Sequence, residues 1–456
     1  MKQCTNISEY LKTVCDQIRW KKAHDVISKE IENHIIDQKD AFMANGVEEE
    51  MATDQAIKEM GDPIVVGSEL DRTYRPKIAW SIIVLTGIVL LLGFAIRIFV
   101  SYDTDMHMPW KLTNSVISTV LGISCMTLAY FLDFTTLGKY PKTIYFTLIV
   151  VIIGAMMVSP VINGRYFYAQ FLLLLFPTAF AGIIYNMRTK GYIGIILSGI
   201  FFALLAFIGL MIPSFSGVIL YSITCLILLT VAIAKGWFNV KKLHSLLLVY
   251  IPVIITSVIA IFTTLSSPYR LARVQSAFDP SLDSMGAGYI GMITRDMITN
   301  AKLFGQGELG VTAGIPVSIV HTDFLLTYLI HRLGWISFVV VMAVIVSLIV
   351  RSFMFCAKQK SVLGKLVSLS VLTTFTIQVV LYVASNLGFQ LFSPLTLPLI
   401  SYGGIATIIN MTLIGIMLSV FKSGDLVCDN RETSILTKNK LIAFVDGKII
   451  IDFNMK

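Results

Sequence analysis

From residue 78 onward the chain alternates apolar runs about twenty residues long with short polar clusters. Runs of that length match helices that cross a bilayer. They fall near 78–100, 114–132, 143–161, 168–187, 191–212, 217–234, 245–263, 334–351, 366–385 and 403–421. Two stretches, 192–234 and 366–421, contain no Asp, Glu, Lys, Arg or His, and each is long enough for two spans. Before residue 78 the pattern changes. Ile7, Leu11, Val14 and Ile18 recur at spacings of four, three and four, which marks one face of a helix. Ile27, Ile31 and Ile35 repeat it, and a third helix is expected over Val47 to Met60, stopped by Gly61-Asp62-Pro63. Residues 1–77 therefore read as a small soluble helical domain that packs on itself.

Composition narrows the class. Of 456 residues, 55% are hydrophobic and 14% charged, against about 25% charged in soluble proteins. The expected fold is an all-α polytopic membrane protein of about ten transmembrane helices with a small cytoplasmic helical domain at its N-terminus. The start of the chain is charged and has no early apolar segment of the kind a cleavable signal carries. The net charge is +8, but residues 1–77 are mildly acidic, with 11 Lys/Arg against 15 Asp/Glu. With the N-terminus inside, the inner loops carry Lys139 and Lys142, Arg188 and Lys190, Lys235, Lys241 and Lys242, then Arg351, Lys358, Lys360 and Lys365. The short outer loops carry Lys111 and Arg165. That asymmetry follows the positive-inside rule, so the basic excess reads as topology, not as nucleic-acid binding. Both ends are then cytoplasmic, and the tail 422–456 holds a candidate hairpin around Asp446-Gly447. The six cysteines show no CxxC or Cys/His ligand spacing, which argues against a disulfide framework or a zinc site.

One loop, 264–322, is far longer than the rest and lies on the outer face. Long loops in compact proteins are usually functional or disordered, and this one holds aromatics, glycines and both signs of charge. It ends on "FGQGELG" and "HTDF". The glycines permit tight turns and carry little functional weight by themselves. Asp323 carries more. A carboxylate at the mouth of a span either faces water or a partner in a functional role, or caps the helix that follows it; the residues alone leave both readings open. The segment "NLGFQLFSPLTLPLISYGG", 386–404, interrupts the second charge-free stretch. Pro394 and Pro398 with Gly403 and Gly404 forbid a continuous helix there. Irregular backbone at membrane depth is tolerated where protein buries it or a watery cavity meets it, so a re-entrant loop between spans nine and ten is expected.

The stretch "SPLTLPLISYGG" followed by "IATIINMTLIGIMLSV", with "HTDF", "YRLARVQSAFDP…GAGY" and "GQGELG" in order, resembles the SEDS family of shape, elongation, division and sporulation proteins. The resemblance covers about 78–421. Residues 1–77, through "ISEYLKTVCDQI", "EIENHIIDQ" and "AIKEMGDPIVVGSEL", resemble a short prefix domain found ahead of several bacterial membrane proteins, which implies a regulatory or partner-binding role. SEDS membership implies a peptidoglycan glycosyltransferase that polymerises lipid II at the outer face of the bacterial cytoplasmic membrane, with a class B penicillin-binding protein as partner. It implies that Asp323 is the essential carboxylate, acting as general base on the attacking sugar hydroxyl. His321, Thr322, Pro394, Pro398, Ser401, Tyr402, Gly403 and Gly404 are the matching motif residues and candidate substrate contacts. A departing pyrophosphate favours cations: Arg270 and Arg273 are candidates, although loop arginines are often merely solvated, and so is a divalent cation, Mg²⁺ or Mn²⁺. No organic cofactor is implied. The chain departs from the family pattern at His331 and Arg332, where two glutamates are usual, and at Leu397 and Ile405. An acidic pair replaced by a basic one could meet a pyrophosphate or mark a lost regulatory contact. Two rival functions remain at this point: a flippase for the lipid-linked precursor, and a non-catalytic scaffold for a penicillin-binding protein.

Overall fold

The computed structural model describes residues 7–76, 78–103, 109–162, 165–212, 214–308, 322–391, 395–424, 442–445 and 448–451. They divide into two compact units, Met1–Pro76 with Asp425–Lys456, and Lys77–Gly424.

In the first unit, helices α1 (Ile7–Gln17), α2 (His24–Ala44), α3 (Glu49–Glu59) and α4 (Pro63–Thr73) enclose a core of Tyr10, Val14, Ile18, Ala23, Ile27, Ile31, Ile35, Ala56 and Ile57. The isoleucine periodicities thus mark the buried faces. Gly61-Asp62-Pro63 ends α3, but it also begins a fourth helix that the sequence reading did not include. The Asp62 carboxylate accepts the Ile64 N–H at 2.9 Å, and Pro63 occupies the first turn, where its missing N–H has no partner to lose.

The second unit is the membrane body. Its helices are α5 (Trp80–Asp103), α6 (Pro109–Phe131), the short α7 (Thr135–Lys139), α8 (Pro141–Val158), α9 (Ala169–Leu172), α10 (Phe176–Met187), α11 (Gly191–Met211), α12 (Phe215–Ala234), α13 (Lys242–Leu265), α14 (Pro268–Phe278), α15 (Tyr289–Thr299), α16 (Leu325–Leu333), α17 (Trp335–Lys358), α18 (Val362–Asn386) and α19 (Gly404–Ser423). A two-residue hairpin, β1 (Val161–Ile162) with β2 (Arg165–Tyr166), joins α8 to α9. Among the described residues nine apolar helical runs are long enough to cross a membrane, and one of them, Ala169–Gly209, has 41 residues. At 1.5 Å per residue that run is about 60 Å long, twice the hydrocarbon thickness. It breaks at a 3₁₀ turn, Arg188–Lys190, followed by Gly191 at φ 58°. The protein is therefore an integral membrane protein, and with that long run counted as two helices the described residues hold ten apolar segments.

α18 and α19 form the centre of the bundle, with 67% and 72% of their apolar windows buried, whereas α13 stands at the rim with none of its window buried. Between the two central helices, Leu395–Ser401 is buried throughout. Protein rather than lipid surrounds this irregular backbone, as the bilayer requires. Within 264–308 the long loop is structured: α13 reaches Leu265, and α14, a 3₁₀ turn at Pro280–Asp283 and α15 follow. Near the end of the chain, β3 (Ile442–Val445) pairs antiparallel with β4 (Lys448–Ile451), and the expected turn at Asp446-Gly447 lies outside the described residues.

Candidate functional site

Asp323 lies in a turn just before α16, half-buried, with Phe324 at the N-cap position making no side-chain cap bond. The first N–H groups of α16 find acceptors on another helix. Leu325 N–H donates to the Tyr382 hydroxyl at 3.2 Å, and the amides of Leu326 and Thr327 donate to Asn386 Oδ1 at 3.1 Å each. Asn386 Nδ2 donates to the Asp323 carbonyl at 2.8 Å, and Tyr382 Oη donates to the Thr322 carbonyl at 3.3 Å. Thr327 Oγ1 adds a bond to the Asn386 carbonyl at 2.7 Å. The first N–H groups of the helix are thus met by side chains of α18.

The same helix holds the re-entrant segment. Gln378 Nε2 donates to the Thr396 carbonyl at 2.8 Å. Gln378, Tyr382 and Asn386 follow one another at four-residue spacing, so they form one polar stripe along α18, and all three are fully buried. The sequence reading passed over them. Their signal was available: three polar residues in register within a stretch free of charge.

Pro398 and Ser401 are buried, Gly403 packs against Thr396, and Gly404 faces Ser118. Ser401 Oγ donates to the Leu397 carbonyl at 3.3 Å. His321 and Pro394 lie outside the described residues. Arg270 and Arg273 are both exposed on α14 and make no hydrogen bond or ion pair among the described residues.

A different arginine ties the outer segment down. Arg295 on α15 donates from Nη2 to the Phe278 carbonyl at 3.0 Å and from Nε to the Gly388 carbonyl at 3.3 Å. Gly388 sits at φ 91°, and a Cβ there would lie 2.6 Å from Arg295 Cγ. Phe278 meets Phe389 edge to face, with ring centroids 5.4 Å apart. Nearby, the Ser281 hydroxyl donates to Asp279 at 2.6 Å and its amide at 3.1 Å, which with Arg295 holds the Asp279 carboxyl below the usual carboxylate range. His331 is buried in the last turn of α16, its Nδ1 3.2 Å from the Met297 carbonyl, while Gly307 N–H donates to its carbonyl at 2.7 Å. It fastens α15 and the "GQGE" segment to α16.

Among the described residues no group of three or more His, Cys, Asp or Glu side chains is placed to hold a metal ion.

The FtsW/RodA/SpoVE family, described as cell cycle proteins, matches residues 76–425. The chain belongs to that family. FtsW of Idiomarina loihiensis, named a probable peptidoglycan glycosyltransferase, is 30% identical over 244 residues, covering 51% of this chain and 54% of that protein. The peptidoglycan glycosyltransferase MrdB of Escherichia coli K12 is 29% identical over 156 residues, covering 33% of this chain and 42% of that protein. The chain thus spans about half the length of the curated relatives it matches. Among solved structures, a protein described under structural coordination of polymerization and crosslinking by a peptidoglycan synthase complex aligns with a TM-score of 0.59 at 19% identity, over 75% of this chain and 97% of that one. The rod shape determining protein RodA of Thermus thermophilus aligns at 0.50 and 17% identity, over 76% and 97%. At these identities the likeness establishes the FtsW/RodA/SpoVE fold for the membrane body.

Proposed function

We propose that this FtsW/RodA/SpoVE protein is a peptidoglycan glycosyltransferase that polymerises lipid II at the outer face of the cytoplasmic membrane. The observation that carries the reading is the Asp323 turn: its backbone carbonyl is held at the mouth of a span by Asn386 of α18, and Tyr382 and Asn386 accept the first N–H groups of the helix that follows. The names of the relatives support it. In the reaction, Asp323 takes the proton from the 4-hydroxyl of one sugar as that oxygen bonds to the anomeric carbon of another, and the lipid pyrophosphate leaves with the electron pair of the broken bond. The turn fixes the base against its substrate, which is where positioned carboxylates gain their advantage. Arg270 and Arg273, exposed on α14, are the candidate cations for the departing pyrophosphate.

The partner in this reading is a class B penicillin-binding protein, which crosslinks the strands this chain makes. Both termini are cytoplasmic, in keeping with the basic inner loops.

The test uses the full chain, purified with and without its transpeptidase, and labelled lipid II. Glycan polymer is expected, and Asp323→Ala abolishes it. If Asp323→Ala makes as much polymer as the parent, Asp323 is not the base. If no polymer forms while lipid II crosses the bilayer of reconstituted vesicles, the chain is a flippase. Cells rescued equally well by Asp323→Ala point to a scaffold.

A further inference from the structure

Pro398 and Leu399 occupy the two central positions of a tight turn. Ile400 N–H donates to the Leu397 carbonyl at 3.3 Å, and Leu399 sits at φ 65°. Proline first, positive φ second and a bond closing four residues are the pattern of a type II turn, whose second central position ordinarily takes Gly or Asn. A leucine there has its Cβ crowded against the backbone. Among the described residues it shares positive φ with one other non-glycine residue, Asn239, a residue type that visits this region readily. Something must hold Leu399 in place.

Arg97 of α5 does so. Its Nη2 donates to the Leu399 carbonyl at 3.1 Å, its Nη1 to Ser115 Oγ of α6 at 2.6 Å, and its Nε to the Gly93 carbonyl one turn back at 3.0 Å. The residue is 3% exposed and, among the described residues, has no carboxylate in an ion pair. A cation buried within a span and served only by neutral acceptors is expensive and marks a function. The packing is made for the contact: at Gly93 a Cβ would lie 2.6 Å from the Leu399 oxygen and 2.8 Å from Ile400 Cα. Tyr402 lies within electrostatic reach of the guanidinium.

We propose that Arg97 is a positioning residue that clamps the re-entrant turn in its left-handed conformation, and so sets the place of the motif residues Ser401 and Tyr402 that follow it. Arginine suits the task because its fork delivers several donors in fixed directions, here to α5, α6 and the turn at once, which a lysine ammonium cannot match. The structural part of the proposal stands on the contacts above; its consequence for turnover rests on the glycosyltransferase reading.

The experiment uses the full chain in lipid nanodiscs and reads amide hydrogen exchange in peptides covering 395–404, together with polymer formation from labelled lipid II. Arg97→Met, which keeps the apolar stem, is expected to speed exchange in that segment about tenfold while α18 stays protected. Adding Leu399→Gly is expected to restore slow exchange to within about threefold, because glycine takes positive φ without the penalty. Adding Leu399→Ala is expected to restore nothing. A general loss of packing would not be rescued by a glycine at this one position. If Arg97→Met leaves exchange unchanged, or if Leu399→Gly brings no recovery, the proposal is overturned. Should Arg97→Met fail to accumulate in the membrane, the Arg97→Met/Leu399→Gly pair decides: accumulation with slow exchange supports the clamp, and failure to accumulate overturns it. Polymer formation is expected to fall with Arg97→Met and return with the pair. If the parent chain makes no polymer, the glycosyltransferase reading fails and the exchange measurement still settles the clamp.

Discussion

Asn386 does more for Asp323 than any residue beside it in the sequence. Its amide oxygen accepts two N–H groups of α16, and its nitrogen fixes the Asp323 carbonyl. Asn386→Leu leaves those buried groups without partners, at about 1–3 kcal/mol for each. The expected result is a lower thermal unfolding midpoint in nanodiscs and a loss of polymer even though Asp323 is intact. An unchanged midpoint would show that water or a neighbour takes over the cap. Asp279 supports a pH prediction. Its carboxyl is held below the usual range by Ser281 and Arg295, so the charged form is favoured in the folded turn. That contribution is present above the unfolded pKa and disappears as pH falls through the lower folded value. Exchange in the Pro280–Asp283 turn is expected to quicken on acidification, and Asp279→Asn to flatten that response. Asp323 was legible as a candidate because a carboxylate beside an apolar run stands out. Asn386 and Tyr382 were not, because the groups they satisfy lie 57 to 63 positions away in the chain.

α16 has nine residues, too few to be stable alone, so neighbours hold it: α18 at its start, and the "GQGE" segment through Gly307 at its end. The spans themselves were legible, since each must keep about twenty apolar residues in a row. The interruption at 386–404 was equally plain from Pro398 and the paired glycines. The fourth helix of the first unit was missed because Gly-Asp-Pro was read as a stop, when Asp-Pro is also a start. The two grips of α18 predict separable effects. Gln378→Leu is expected to loosen 395–403 while 322–327 keeps its protection, and Asn386→Leu to do the reverse. Equal loosening of both segments by either change would show that they move as one.

At the scale of the whole molecule, the first unit has a closed core of its own. Residues 1–76 expressed alone are expected to give a helical, cooperative unfolding transition; a non-cooperative one would mean the core needs more chain. Orientation is checked by cysteine labelling in a background without the native cysteines. Met285→Cys, at a position 92% exposed, is expected to react with an impermeant reagent added to intact cells, and Lys360→Cys only after the membrane is opened. The reverse pattern would invert the topology. The closeness of α5 to the re-entrant turn was not readable from sequence, because Arg97 and Leu399 are 302 positions apart.

The polar stripe on α18 has a mechanical consequence. Gln378 and Asn386 are eight residues apart on one helix, about 12 Å at 1.5 Å per residue. The gap between the Asp323 turn and the re-entrant turn is therefore gauged by a rigid rod rather than by the slack of two loops. Tilting this rod is expected to carry both turns with it, against the hold that Arg97 keeps on the re-entrant turn from α5 and α6.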